Sequence, residues 1–84
     1  MNILFTDDAW EDYLYWRQTD KQILKKINQL IKETQRTPFI GTGKPEPLKH
    51  QLQGCWSRLI NGEHRLVYEV QSELLKIIGC RFHY

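Results

Sequence analysis

All three prolines of this 84-residue chain, Pro38, Pro45 and Pro47, lie in a single stretch, PFIGTGKPEPLKH, with two of the five glycines. Proline fixes its own φ and donates no backbone hydrogen bond, so neither a helix nor a central strand runs through such a stretch. The regular structure must therefore form in two parts, one on each side of this segment. The two parts have different periodicities.

Before the prolines the pattern is helical. Residues 2–5, NILF, form a short apolar run expected to be a strand. Thr6 then offers an N-cap, and Asp7 and Asp8 place negative charge in the first turn, where the helix dipole favours it. The first helix is expected to run to about Arg17, with Trp10, Tyr13, Leu14 and Trp16 on one broad, mostly core-facing side. Thr19 to Gln22 fits a capping box for a second helix. In that helix Ile23, Ile27, Leu30 and Ile31 make one apolar stripe, ending before Pro38. So short a link predicts an antiparallel helical hairpin.

After the prolines the pattern is alternating. CWSRLI reads as a strand, and Asn61-Gly62 as a two-residue hairpin turn. In HRLVYEV, His64, Leu66, Tyr68 and Val70 alternate with Arg65, Val67 and Glu69. A turn near Gln71 to Glu73 leads into LLKIIGCRFHY, read as a strand reaching the end of the chain. An N-terminal strand, two helices and then antiparallel strands in one sheet give an α+β fold, and the length gives a single domain over 1–84.

Composition excludes several classes. No apolar run approaches the roughly 20 residues of a membrane span. MNILFTDDAW has neither the basic start nor the apolar core of a signal peptide, so a cytoplasmic protein with reduced Cys55 and Cys80 is expected. Those cysteines and the three histidines show no CxxC or HxxxH spacing, so no metal site and no cofactor are expected. The net charge is only +2, but acidic residues crowd the start. Lys21, Lys25, Lys26, Lys32, Arg36, Lys44 and Lys49 dominate the middle. Such a face suits RNA phosphates or an acidic partner, and also suits an ordinary solvated helix surface.

Glu46, Arg65 and His83 have the chemistry for cleaving RNA. The 2′-hydroxyl of RNA is a nucleophile already in place. A carboxylate can take its proton, a guanidinium can hold the charged phosphorane, and an imidazolium can protonate the leaving oxygen. Glu46 sits between Pro45 and Pro47, which partly set its direction. If the period-2 pattern continues to the end of the chain, Arg81 and His83 share a face. A chain that stops at His83 and Tyr84 is expected to use its terminus in the site. Each residue also has a plainer reading. Glu46 fits an exposed glutamate on a stiff loop, Arg65 a strand-face arginine paired with Glu69 or Glu63, and His83 an incidental terminal residue.

GKPEPLKH, the CWSR strand, EHRLVY and the terminal HY, together with DDAWEDYLYW and KKINQLIK, resemble the YoeB toxins of the RelE superfamily over essentially all of 1–84. The resemblance implies a compact fold like that of microbial ribonucleases, within a type II toxin–antitoxin pair. It implies cutting of mRNA in the ribosomal A site. Glu46 would be the general base, His83 the general acid, Arg65 the stabiliser of transition-state charge, and Tyr84 the residue that orients the RNA. Lys44, Lys49, Arg58 and Arg81 would bind substrate. The products would be a 2′,3′-cyclic phosphate, or its opened form, and a 5′-hydroxyl. The implied partner is an acidic, partly disordered YefM-type antitoxin, and a homodimer is a further expectation. One position departs from the family's pattern. A second arginine normally follows WSR, whereas Leu59 follows Arg58 here, removing a contact for phosphate or ribosomal RNA. The competing expectation is a non-catalytic module that blocks translation without cutting mRNA.

Overall fold

The computed structural model describes residues 1–82. The expected strand–helix–helix–strands order is present: β1 (Asn2–Phe5), α1 (Asp7–Thr19), α2 (Lys21–Arg36), β2 (Glu46–Pro47), β3 (Trp56–Leu59), β4 (Arg65–Gln71) and β5 (Leu74–Gly79), with a 3₁₀ turn at His50–Leu52. The five strands form one sheet in the order β1-β5-β4-β3-β2. β1 runs parallel to β5, and the other pairings are antiparallel. The helical hairpin carries the chain from β1 at one edge of the sheet to β2 at the other, and β5 later returns beside β1.

Thr6 starts α1 as expected. Its hydroxyl accepts from Ala9 N and donates to the carbonyl of Ile78, tying the helix start to β5. The start of α2 differs from the capping-box expectation. α1 continues through Thr19, whose hydroxyl bonds back to Tyr15 O, and Asp20 caps α2 by accepting from the amides of Gln22 and Ile23. Asp20 can accept two amides where a hydroxyl typically takes one, so it prevails.

The core lies between the helical hairpin and one face of the sheet. Ile27, Leu30 and Ile31 supply the α2 stripe and meet Ala9 and Trp16 of α1, Leu66 and Tyr68 of β4, and Leu75 and Ile77 of β5. The aromatic side of α1 divides. Trp16 is buried, while Trp10 is largely exposed and stacks on Tyr13 at 5.7 Å.

Two expectations about the sheet need correction. Asn61-Gly62 is not a two-residue turn. The loop spans 60–64, and the Asn61 side chain accepts from the amides of Glu63 and His64. An Asx-type turn of this kind gives asparagine an alternative to the left-handed hairpin geometry. The last strand stops at Gly79. Beyond it Cys80 N donates to Asp12 Oδ2 and Cys80 O accepts from Trp16 Nε1 at 2.8 Å, so α1 takes the hydrogen bonds that a further strand ladder would have used.

Candidate active site

The proline-rich segment reaches the sheet by way of a buried arginine. Arg58 side-chain exposure is 0%. Its guanidinium donates to the carbonyls of Thr37, Ile40 and Thr42 and to the Glu33 carboxylate, and its Nε donates to Tyr68 Oη. Tyr68 in turn donates to the carbonyl of Pro38. Every nitrogen of the guanidinium is thus committed to the loop or its neighbours. This corrects the expectation that Arg58 binds substrate: it has no surface to offer a phosphate. The alternation placed Arg58 on β3, but nothing in the sequence marked it as facing the core.

Glu33 completes the anchor. Its carboxylate accepts from the amide of Thr42 as well as from Arg58. The Thr42 amide, first, and the Arg58 guanidinium hold its pKa below the ordinary carboxylate value. Gly41 and Gly43 lie at φ +121° and +86°, and Gly43 O accepts from Leu59 N at 2.7 Å. A Cβ at Gly43 would meet the Leu59 carbonyl at 2.9 Å, so glycine is required where the loop closes onto β3.

Glu46 and Pro47 then pair with Ser57 and Trp56 as the outermost strand. Proline is tolerated there because an edge strand leaves one side of its backbone unpaired. Ser57 faces Val67 across β3 and β4, and Leu59 faces Arg65. Arg65 Nη1 donates to Glu46 Oε1 at 3.0 Å and to Ser57 Oγ at 3.1 Å. Among the described residues, its buried Nε has no hydrogen-bond partner. Arg65 pairs with neither Glu69 nor Glu63, the partners of its plainer reading. Pairing of a half-exposed glutamate with an arginine near the surface contributes only about 0–1 kcal/mol. Its effect is therefore mainly geometric: a carboxylate and a guanidinium are aimed at the same place, on the sheet face opposite the helices.

The other candidates are placed less uniformly. Lys44, at φ 51°, and Lys49 are exposed on either side of Glu46. Arg81 is not on a strand with its neighbours. Its guanidinium lies 3.5 Å from the centre of the Tyr15 ring and 4.5 Å from that of Phe82. A cation over an aromatic face keeps its charge and its in-plane N–H groups. His83 and Tyr84 lie outside the described residues. Phe82, the last described residue, is held by two hydrogen bonds. Its amide donates to His64 Nδ1 at 2.8 Å, and its carbonyl accepts from Arg65 N at 3.0 Å. Sequence reasoning missed His64, Ser57 and Tyr15. For His64 the signal was present, since it shares the core-facing alternation of Leu66 and Tyr68.

The family model describing a YoeB-like toxin of bacterial type II toxin–antitoxin systems matches residues 5–84. Toxin YoeB of Escherichia coli K12 is 61% identical over 84 residues, all of both chains. The chain belongs to the YoeB toxin family. Two solved Staphylococcus aureus structures agree. A YoeB dimer has a TM-score of 0.93 at 50% identity, and a YoeB–YefM complex a TM-score of 0.92 at 49% identity. Each match covers 100% of this chain and 98% of the other. In this chain the fold sets Glu46 beside Arg65, with Leu59 as the cross-strand neighbour of the arginine.

Proposed function

We propose that this YoeB-family toxin is a ribosome-dependent endoribonuclease that cuts mRNA in the A site. Glu46 takes the proton of the 2′-hydroxyl as O2′ attacks phosphorus. The P–O5′ bond breaks, and His83 gives a proton to the departing O5′. The RNA leaves as a 2′,3′-cyclic phosphate and a 5′-hydroxyl. Arg65 balances the charge on the equatorial oxygens, and Tyr84 orients the nucleotide. Exposed Lys44 and Lys49 meet flanking phosphates. Each proton transfer contributes on the order of 10²–10⁴ in rate.

The observation that carries this reading is the pairing of Arg65 Nη1 with Glu46 Oε1 on the sheet face away from the helices. A base and a phosphate-binding cation are needed within one phosphate's reach, and here they share a hydrogen bond. By likeness to the YoeB–YefM complex and the YoeB dimer of Staphylococcus aureus, this toxin pairs with a YefM-type antitoxin and self-associates. It acts where ribosomes are, in the cytoplasm.

The test is a defined mRNA on purified ribosomes, with any cut mapped to the nucleotide. A cut in the A-site codon with a downstream 5′-hydroxyl supports the nuclease. Arrested translation with an intact message supports a non-catalytic blocker instead.

A further inference from the structure

We propose that His64 is a positioning residue for RNA cleavage: its Nδ1 and the backbone amide of Arg65 clamp Phe82, the residue from which the sequence continues to His83. The proposal rests on the nuclease reading for its consequence, but the clamp itself stands on geometry. Phe82 N donates to His64 Nδ1 at 2.8 Å, and Arg65 N donates to Phe82 O at 3.0 Å. One residue is thus held at both its amide and its carbonyl by two consecutive residues at the start of β4.

The histidine is built into this role. It is 7% exposed. Its own amide donates to Asn61 Oδ1, and its carbonyl accepts from Ile60 N and Asn61 N. Its ring meets the Trp16 ring edge-on at 4.7 Å. With Nδ1 accepting from the Phe82 amide, Nε2 is the ring nitrogen left to donate. Nε2 lies 3.9 Å from Glu63 Oε1.

The clamp also holds an unfavourable backbone. Phe82 sits at φ 69°, in the left-handed region. A non-glycine residue there costs on the order of 1–3 kcal/mol and persists only where its surroundings fix it. Two hydrogen bonds, with Trp16 Nε1 on Cys80 O just upstream, supply that constraint. The side chain of Arg65 reaches Glu46 while its backbone holds Phe82. The strand start therefore couples the Glu46–Arg65 pair to the point from which His83 continues.

The discriminating variants are His64→Asn, which keeps an acceptor oxygen at the place of Nδ1, and His64→Leu, which removes it. Both are compared with the wild-type chain in single-turnover cleavage on programmed ribosomes and in amide exchange at Phe82. His64→Leu should lower the saturating rate about tenfold or more, the scale of small misplacements at a reacting centre. It should leave the half-saturating concentration unchanged and lose protection of the Phe82 amide. His64→Asn should retain most of both. Equal rates and equal Phe82 exchange in the two variants would overturn the clamp. If His64→Leu fails to fold, ¹⁵N spectra of the wild-type ring decide: a proton on Nδ1 overturns the proposal, and an unprotonated Nδ1 coupled to the Phe82 amide supports it. If the wild-type chain leaves the message uncut, the nuclease reading fails. The Phe82 exchange pattern still decides the clamp.

Discussion

Glu46 and Arg65 are 19 residues apart in sequence, yet Oε1 and Nη1 are 3.0 Å apart. The edge strand β2 and the start of β4 bring them together across β3, with Ser57 between them. Glu46 contributes little to stability, since its side chain is half exposed and its ion pair with Arg65 lies near the surface. Glu46→Gln should therefore melt within about 1 kcal/mol of the wild type, while cleavage on ribosomes falls by about 10²–10⁴. Thermal melting and single-turnover cleavage of the same preparation check both halves. A fully active, normally folded variant would remove Glu46 from the mechanism.

Arg58 should behave in the opposite way. Replacing it with methionine leaves the Thr37, Ile40 and Thr42 carbonyls without their donor and opens the loop anchor. Loss of a buried network of this kind costs about 3–5 kcal/mol. Urea titration of Arg58→Met should show that loss, and Tyr68→Phe a smaller one of about 1–3 kcal/mol. An arginine that merely met RNA would be replaced with little change in stability.

The anchor also has an acid limit. The Glu33 pKa is lowered in the folded chain by the Thr42 amide and Arg58. A depressed carboxylate contributes stability that is complete above its unfolded pKa and is lost as the pH falls through the folded value. The wild-type chain should lose stability as the pH falls below the ordinary glutamate range around 4.5, and Glu33→Gln should flatten that part of the curve. An unchanged slope in Glu33→Gln would show that the carboxylate does not carry the dependence.

Leu59 lies across β3 and β4 from Arg65, so a cation there would extend the basic surface at the scissile phosphate. Leu59→Arg should bind programmed ribosomes more tightly at low salt. It should steepen the slope of log affinity against log salt by about one. Binding measured at several salt concentrations checks this. An unchanged slope would mean that residue 59 meets no phosphate.

The α2 stripe, the alternation of β4 and the role of Thr6 as a cap were legible in the sequence because each is a local pattern. Periodicity of 3.6 or 2 survives without knowledge of the partner. The proline cluster correctly signalled a segment that no central strand crosses, but it read as loop throughout, and the pairing of Glu46–Pro47 with Ser57 and Trp56 as an edge strand shows only in the fold. What was not legible depends on contacts distant in sequence. Arg58 reads as a surface cation until Thr37, Ile40, Thr42 and Tyr68 surround it. β5 reads as continuing to the end of the chain until Trp16 and Asp12 take the backbone groups of Cys80. His64 reads as a core residue, and only the folded chain shows its free nitrogen meeting the Phe82 amide. His83 and Tyr84 are assigned by resemblance alone, and their contribution is tested by activity.

The most direct measurement uses two messages on ribosomes, identical except for one 2′-deoxynucleotide placed 5′ of the mapped cut. The account predicts that the all-ribose message is cut to a 2′,3′-cyclic phosphate and a 5′-hydroxyl. The 2′-deoxy message should stay intact at that bond while still occupying the A site. Equal cutting of both messages would mean that water or a protein group is the nucleophile, contradicting the role given to Glu46 and Arg65.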